Sequence, residues 1–247
     1  MLDTSTAEAL AVVGVTKRFG GLVAVDDMSF ALAEKEVLGL IGPNGSGKTT
    51  MMNLISGALK PSAGQISVYG HAIAGTGASN VAKKGIARTF QLVRMLPTMT
   101  ALENVAAGGV FGHARRWGKE LDDYAHALLA RVGLPNAANA PVSALTYIDQ
   151  KRVELARALA SDPNILLLDE WLAGLNPTEL KIGIALIEQL RVEGCTIIIV
   201  EHVMHAIRSL CDRCIVMNSG VKIAEGTPAH VLADHGVIRA YLGDANA

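Results

Sequence analysis

The sequence predicts an α/β fold: a mostly parallel central sheet, an antiparallel β part and a helical lobe. Three observations carry that prediction. Residues 164–169 (NILLLD) and 195–200 (CTIIIV) are continuous apolar runs, as expected of strands buried on both faces of a parallel sheet. Between them, residues 179–192 place Ile182, Leu186 and Leu190 at helical spacing, so strand, helix and strand make a βαβ unit. Residues 10–33 alternate apolar and polar positions around Gly20-Gly21, the pattern of antiparallel strands.

The remaining elements follow in order. In EVLGLIGPNGSGKTTMMNLISGAL the apolar run 37–41 meets a glycine-rich turn and then a helical stretch. Residues 63–70 (AGQISVYG) read as a further strand, entered and left through glycine. From 92 to 160 the pattern is mostly helical, clearest in Leu121 to Val132 and Leu145 to Ala160. The second of these opens LTYIDQKRV. Thr146 is placed to cap it, Asp149 stands three residues on, and Val153, Ala156 and Leu159 supply an apolar face, which is capping-box spacing. A small strand pair near 214–224 and a helix from Val231 to Leu242 close the chain.

At 247 residues, 50% hydrophobic, the chain can bury a sizeable core as one domain. A net charge of −1 gives no basic field for nucleic acid, and 4% aromatic residues give no stacking surface for bases. The longest stretch free of Asp, Glu, Lys and Arg, Pro61 to Ala82, is broken by Ser62, Gln65, His71 and several glycines, so it cannot span a bilayer. The N-terminus lacks a basic region and carries Asp3 and Glu8, unlike a signal peptide. Cys211 and Cys214 follow His202 and His205, which raises a zinc site. No second matched pair accompanies them, and the run from helix into buried strand suits cysteines packed as small hydrophobes.

Gly42-Pro43-Asn44-Gly45-Ser46-Gly47-Lys48-Thr49 matches G-x-x-x-x-G-K-[ST] in full, between a buried strand and a helix. Its glycines allow backbone N–H groups to wrap nucleotide phosphates, Lys48 would reach the β- and γ-phosphates, and the Thr49 hydroxyl would ligate Mg²⁺. Asp169 ends a buried strand, where an acid can help to hold that ion. Glu170, next to it, is placed to polarise a water. His202 follows the strand 196–200, again at a carboxyl end, and ligands of open α/β sheets bind at that edge.

In this order these residues resemble the ATP-binding subunits of ABC transporters over nearly the whole chain. The resemblance implies ATP and Mg²⁺ as ligands and assigns roles position by position. Phe19 matches the aromatic that stacks on adenine, and Thr50 falls in the nucleotide-binding loop. Gln91 matches the Q-loop, which reaches Mg²⁺ and couples to the transmembrane partner. Asp169 and Glu170 match the Walker B pair, Ala173 to Asn176 the D-loop, and His202 the switch histidine. It also implies one ABC domain over 1–247, with 1–91 and 161–247 as the catalytic core and 92–160 as a helical signature lobe. ARTFQ and GTPAHVLADHGVIRAYLG are similar to the first of the two ATPases of branched-chain amino acid importers, a match that also fits importers of solutes such as urea.

Thr146, Tyr147, Ile148 and Asp149 stand where the family has its LSGGQ signature, which would hold the phosphate of ATP bound to the facing subunit. Ile148, in place of the second glycine, brings a stiff side chain where backbone and phosphate approach, and tolerates positive φ poorly. Asp149 adds a negative charge that Lys151 and Arg152 are placed to offset. The expectation is a weakened signature with its anion site kept. Trp171 and Val203 depart from the proline and aspartate common in the family at those places. The implied partners are permease subunits, a second ABC ATPase, identical or paralogous, and indirectly an external solute-binding protein. The implied place is the cytoplasmic face of the inner membrane. Two other readings stay open. One is a regulatory half that binds ATP without hydrolysing it, favoured by the altered signature and opposed by Glu170 and His202. The other is a soluble ABC ATPase, which usually carries two such domains or a long coiled-coil insertion.

Overall fold

The computed structural model describes residues 7–242. Asp3 and Gly243, both used above, lie outside them. The strands are β1 (Glu8–Phe19), β2 (Leu22–Ala33), β3 (Val37–Ile41), β4 (Ala63–Val68), β5 (His71–Ala72), β6 (Ile86–Arg88), β7 (Ile165–Asp169), β8 (Thr196–Val200), β9 (Arg213–Asn218) and β10 (Val221–Gly226). The helices are α1 (Lys48–Ile55), α2 (Ala78–Lys83), α3 (Ala101–Phe111), α4 (Gly118–Arg131), α5 (Tyr147–Ala160), α6 (Pro177–Val192), α7 (Met204–Leu210), α8 (Pro228–Ala233) and α9 (His235–Leu242).

Two sheets result. One is antiparallel, in the order β2-β1-β4-β5, with β1 and β2 joined through the Gly20-Gly21 turn. The other runs β10-β9-β3-β8-β7-β6 and is parallel except for its β10 edge. Alternate residues of the central strands enter two different cores. Leu38, Leu40, Leu167 and Ile198 pack with α1 and the antiparallel sheet. Val37, Ile41, Leu168 and Ile197 pack with the helices of the other face. With both faces covered, the strands have no polar side, hence the unbroken apolar runs.

The structure corrects two expectations and extends a third. The closing helix is two helices, because Asp234 leaves the helical conformation between α8 and α9 and its carboxylate accepts the N–H of Val237 at 3.0 Å. The strand pair near 214–224 is present as antiparallel β9 and β10, and β9 also lies parallel against β3 within the main sheet. The buried face of α6 carries Gly183, Ile187 and Leu190, while Ile182 is exposed. Gly183 lies on that inward face: a Cβ there would stand 2.6 Å from the Leu172 side chain and 3.1 Å from that of Trp171, so a larger residue would have to displace them.

Candidate active site

Because β3, β6, β7 and β8 are parallel, the segments that follow them emerge at one sheet edge and bring together residues distant in sequence. After β3 the chain turns through Gly42 (φ 147°) and Gly47 (φ 103°), both in the region that favours glycine. A side chain on Gly42 would run into the carbonyl oxygen of Met217, and one on Gly47 would stand 2.5 Å from that of Ala24. Gly47 caps α1 without a side chain, so the first N–H groups of the helix stay free for an anion. The loop borders a cleft of about 310 Å³, also lined by Phe19, Leu22, Thr49, Thr50 and Glu170. Asn44 and Gly45 are exposed beside it, whereas Ser46 is buried, its hydroxyl without a partner. Phe19 is 45% exposed, with the Lys17 ammonium 4.9 Å from its ring centre.

Lys48 is buried, and its Nζ donates to the carbonyls of Gly42 and Pro43 at 2.8 Å each. Burial pushes its ammonium below the ordinary lysine value, and the negative charges of Glu170 and Asp169 pull it back. Asp169 is buried at the end of β7, where Arg88 Nη2 donates to its Oδ2 at 2.6 Å. Arg88 also holds Asn53 Oδ1 at 2.7 Å and Ser56 Oγ at 2.9 Å, tying α1 to the acid.

Glu170 adopts φ 49°, a left-handed conformation that non-glycine residues avoid. Its backbone N–H donates to Val200 O at 2.8 Å. Its carboxylate lies between Gln91, whose Nε2 donates to Oε2 at 2.6 Å, and His202, whose Nε2 is 3.0 Å from Oε1. Gln91, Glu170 and His202, from three segments, thus form one cluster beside the phosphate loop.

Asn176 caps α6 with a full capping box. Its Oδ1 accepts from Thr178 and Glu179 N–H, and Glu179 Oε2 accepts from Asn176 N–H. At the start of α5 the box is incomplete. Thr146 Oγ1 accepts Asp149 N–H at 3.3 Å, but the hydroxyl donates back to Asp149 Oδ2 at 2.8 Å instead of leaving that carboxylate to the backbone. Ile148 lies in regular helix and is only 7% exposed. Its side chain is turned inward, and a left-handed conformation is not required of it. The steric objection raised from the sequence therefore falls away. The first-turn N–H groups of Tyr147 and Ile148 have no partner inside the helix. Arg152 does offset Asp149, 3.0 Å from Oδ1. Lys151 does not: it is buried, its Nζ 5.0 Å from the Tyr147 ring centre and without a hydrogen-bond partner.

Sequence reasoning missed Arg88 and Glu201 and gave Lys151 a role it does not have. Glu201 is 1% exposed and accepts Leu172 N–H at 2.7 Å. Burial pushes its carboxyl from 4.5 up to about 7, against backbone hydrogen bonds from Leu172 and His202. Between those two values the folded chain keeps a proton that the unfolded chain has released, so this group removes stability as pH rises through the interval. Glu201→Gln abolishes that loss. Its Tm relative to wild type should rise between pH 4.5 and about 7 and level off above; a difference flat with pH contradicts the assignment.

The donor set fits Mg²⁺, a hard cation that takes oxygen ligands and is held by few carboxylates. Thr49 offers an exposed hydroxyl, Gln91 its amide oxygen and Asp169 the carboxylate oxygen that Arg88 leaves free.

The chain matches the sequence model described as ABC transporter over residues 25–173, and that of the branched-chain amino acid ATP-binding cassette transporter over 221–247. It is 42% identical to the high-affinity branched-chain amino acid transport ATP-binding protein LivG of Salmonella typhimurium, covering 96% of this chain and 98% of that one. Identity to BraF of Pseudomonas aeruginosa, which has the same description, is 41% with the same coverage. Its fold is similar to the crystal structure of the ADP conformation of MJ1267, an ATP-binding cassette of an ABC transporter, with TM-score 0.87, 30% identity, and 96% and 99% of the two chains covered. It is also similar to a dimeric post-hydrolysis state of the cassette MJ0796 bound to ADP and Pi, with TM-score 0.80, 28% identity, and 89% and 98% covered. By sequence and by fold, then, this chain belongs to the ATP-binding cassette family of ABC transporters.

Proposed function

We propose that this ATPase powers the uptake of branched-chain amino acids, or of a closely related small solute. Among the described residues no helix is long and apolar enough to cross a membrane, and the ATPases of the family are peripheral. In this reading the chain works on the cytoplasmic face of the inner membrane, bound to permease subunits and paired head to tail with a second ABC ATPase. An external binding protein would deliver the solute. The observation that carries the reading is the carboxylate of Glu170, held between Gln91 and His202 at the rim of the cleft that Lys48 lines.

Phe19 stacks on the adenine, while the N–H groups of 42–50 and the Lys48 ammonium receive the phosphates. Mg²⁺, when bound, neutralises phosphate charge. Glu170 orients the attacking water and takes its proton, and His202 holds that water in register with the γ-phosphate. Lys48 stabilises the charge that builds up in the transition state. Thr146 to Asp149 close the partner's site, Asn176 lines the facing surface, and Gln91 with the lobe 92–160 transmits closure to the permease. The core lobe comprises 1–91 and 161–247.

The test is accumulation of labelled leucine in right-side-out vesicles holding the reconstituted complex, with ATP loaded in the lumen and the solute-binding protein outside. Uptake that requires ATP and is lost with Glu170→Gln is expected. Vesicles that hydrolyse ATP yet accumulate neither leucine, isoleucine nor valine would overturn the solute assignment.

A further inference from the structure

The turn that carries Glu170 is conformationally unfavourable, and the structure fastens it from two sides. Glu170 is left-handed at φ 49°, a state that persists in a non-glycine residue only where its surroundings enforce it. On one side, Trp171 Nε1 donates to the carbonyl of Lys151 in α5 at 3.2 Å. On the other, two bonds reach the end of β8: Glu170 N–H to Val200 O at 2.8 Å, and Leu172 N–H to Glu201 Oε1 at 2.7 Å. The next residue after Glu201 is His202, whose imidazole meets Glu170 at 3.0 Å.

We propose that Glu201 is a positioning residue for ATP hydrolysis, clamping the turn that carries Glu170 to the strand end that carries His202 and so keeping base and histidine in register. The proposal rests on Glu170 and His202 acting together in hydrolysis. Glu201 bridges the two catalytic segments, directly before His202 in sequence, and does not line the cleft. Its neighbourhood is charged: Glu170 repels it, and buried Lys151 attracts it from the start of the signature helix. Lys151 Nζ has no hydrogen-bond partner and lies in the fields of Glu154, Glu201 and Glu170, and its carbonyl is the one that accepts from Trp171.

The experiment compares Glu201→Gln, Glu201→Leu and Glu201→Ser with wild type and Glu170→Gln. It reads kcat, KM for ATP, affinity for a fluorescent ATP analogue and Tm. Glutamine keeps an oxygen in place for Leu172 N–H and should hold kcat within about threefold, whereas leucine cannot accept the bond and serine is too short for it. Both should lose at least about tenfold in kcat, with KM and analogue affinity within about threefold. Serine tolerates water, so it remains informative if the leucine variant does not fold. Leucine or serine variants that keep wild-type kcat while Glu170→Gln is inactive overturn the proposal alone. So does loss of kcat, affinity and Tm together in all three variants, the signature of general unfolding. An active Glu170→Gln overturns the underlying reading instead.

Discussion

Glu170→Gln is expected to lower ATP hydrolysis by at least about 10²-fold while ATP affinity stays within about threefold of wild type. The carboxylate stands at the cleft rim, its two oxygens engaged by Gln91 and His202. Glutamine preserves the shape and can satisfy both neighbours after rotation of the two amides, but it cannot accept a proton from water. Lys48, Thr49 and the free N–H groups at the start of α1 remain, so binding persists. Steady-state release of phosphate and titration with a fluorescent ATP analogue check the two halves separately. A variant that still turns over within tenfold of wild type would remove Glu170 from the chemistry. One that also fails to bind ATP would show that the residue shapes the cleft.

The second large effect is on stability. Trp171 is fully buried, packed where Gly183 admits it against α6, and its indole N–H donates to Lys151 O. Trp171→Ala should cost about 3–5 kcal/mol, from the lost burial and the cavity left behind. Trp171→Phe, which keeps much of the volume and loses the donor, should cost about 1 kcal/mol. Urea unfolding at constant m-value measures both. Equal costs for the two variants would mean that the hydrogen bond, not the packing, holds the Walker B turn to the signature helix. The Trp171 ring packs beside Gly183 of α6, its indole reaches Lys151 of α5, and it does not line the cleft. Val203 has a smaller consequence: it caps α7 with no side chain able to accept from the first turn.

What was legible in the sequence follows from locality. The phosphate loop, Asp169, Glu170 and His202 could be read because each ends or follows a strand whose apolar run is unbroken, and parallel strands deliver their carboxyl ends to one edge. The strand β6 was not legible: three residues, one of them Arg88, give no period to read, and only pairing with β7 makes them a strand. Arg88 then finds Asp169 81 residues away, a contact no local pattern signals. The phase of α6 was misread because Gly183 counts as neutral in an apolar pattern, although in the packed helix it marks the closest approach. Lys151 was read as a surface charge because lysines usually are, and its burial is settled by the pairing of α5 with the Walker B turn. Glu201 had one available signal, a carboxylate directly after a five-residue buried strand and directly before the histidine.

Ile148 decides between a working motor and a silent partner, and its buried side chain argues for the former. The most direct test is steady-state Mg-ATP hydrolysis by wild type and Ile148→Gly, assayed at a temperature where circular dichroism shows both folded. The account predicts a wild type that turns over ATP and a glycine variant within about tenfold of it, a change of less than about 1.4 kcal/mol in the barrier. A silent wild type beside an active Ile148→Gly would contradict it, and would make this chain the nucleotide-binding half of an asymmetric pair.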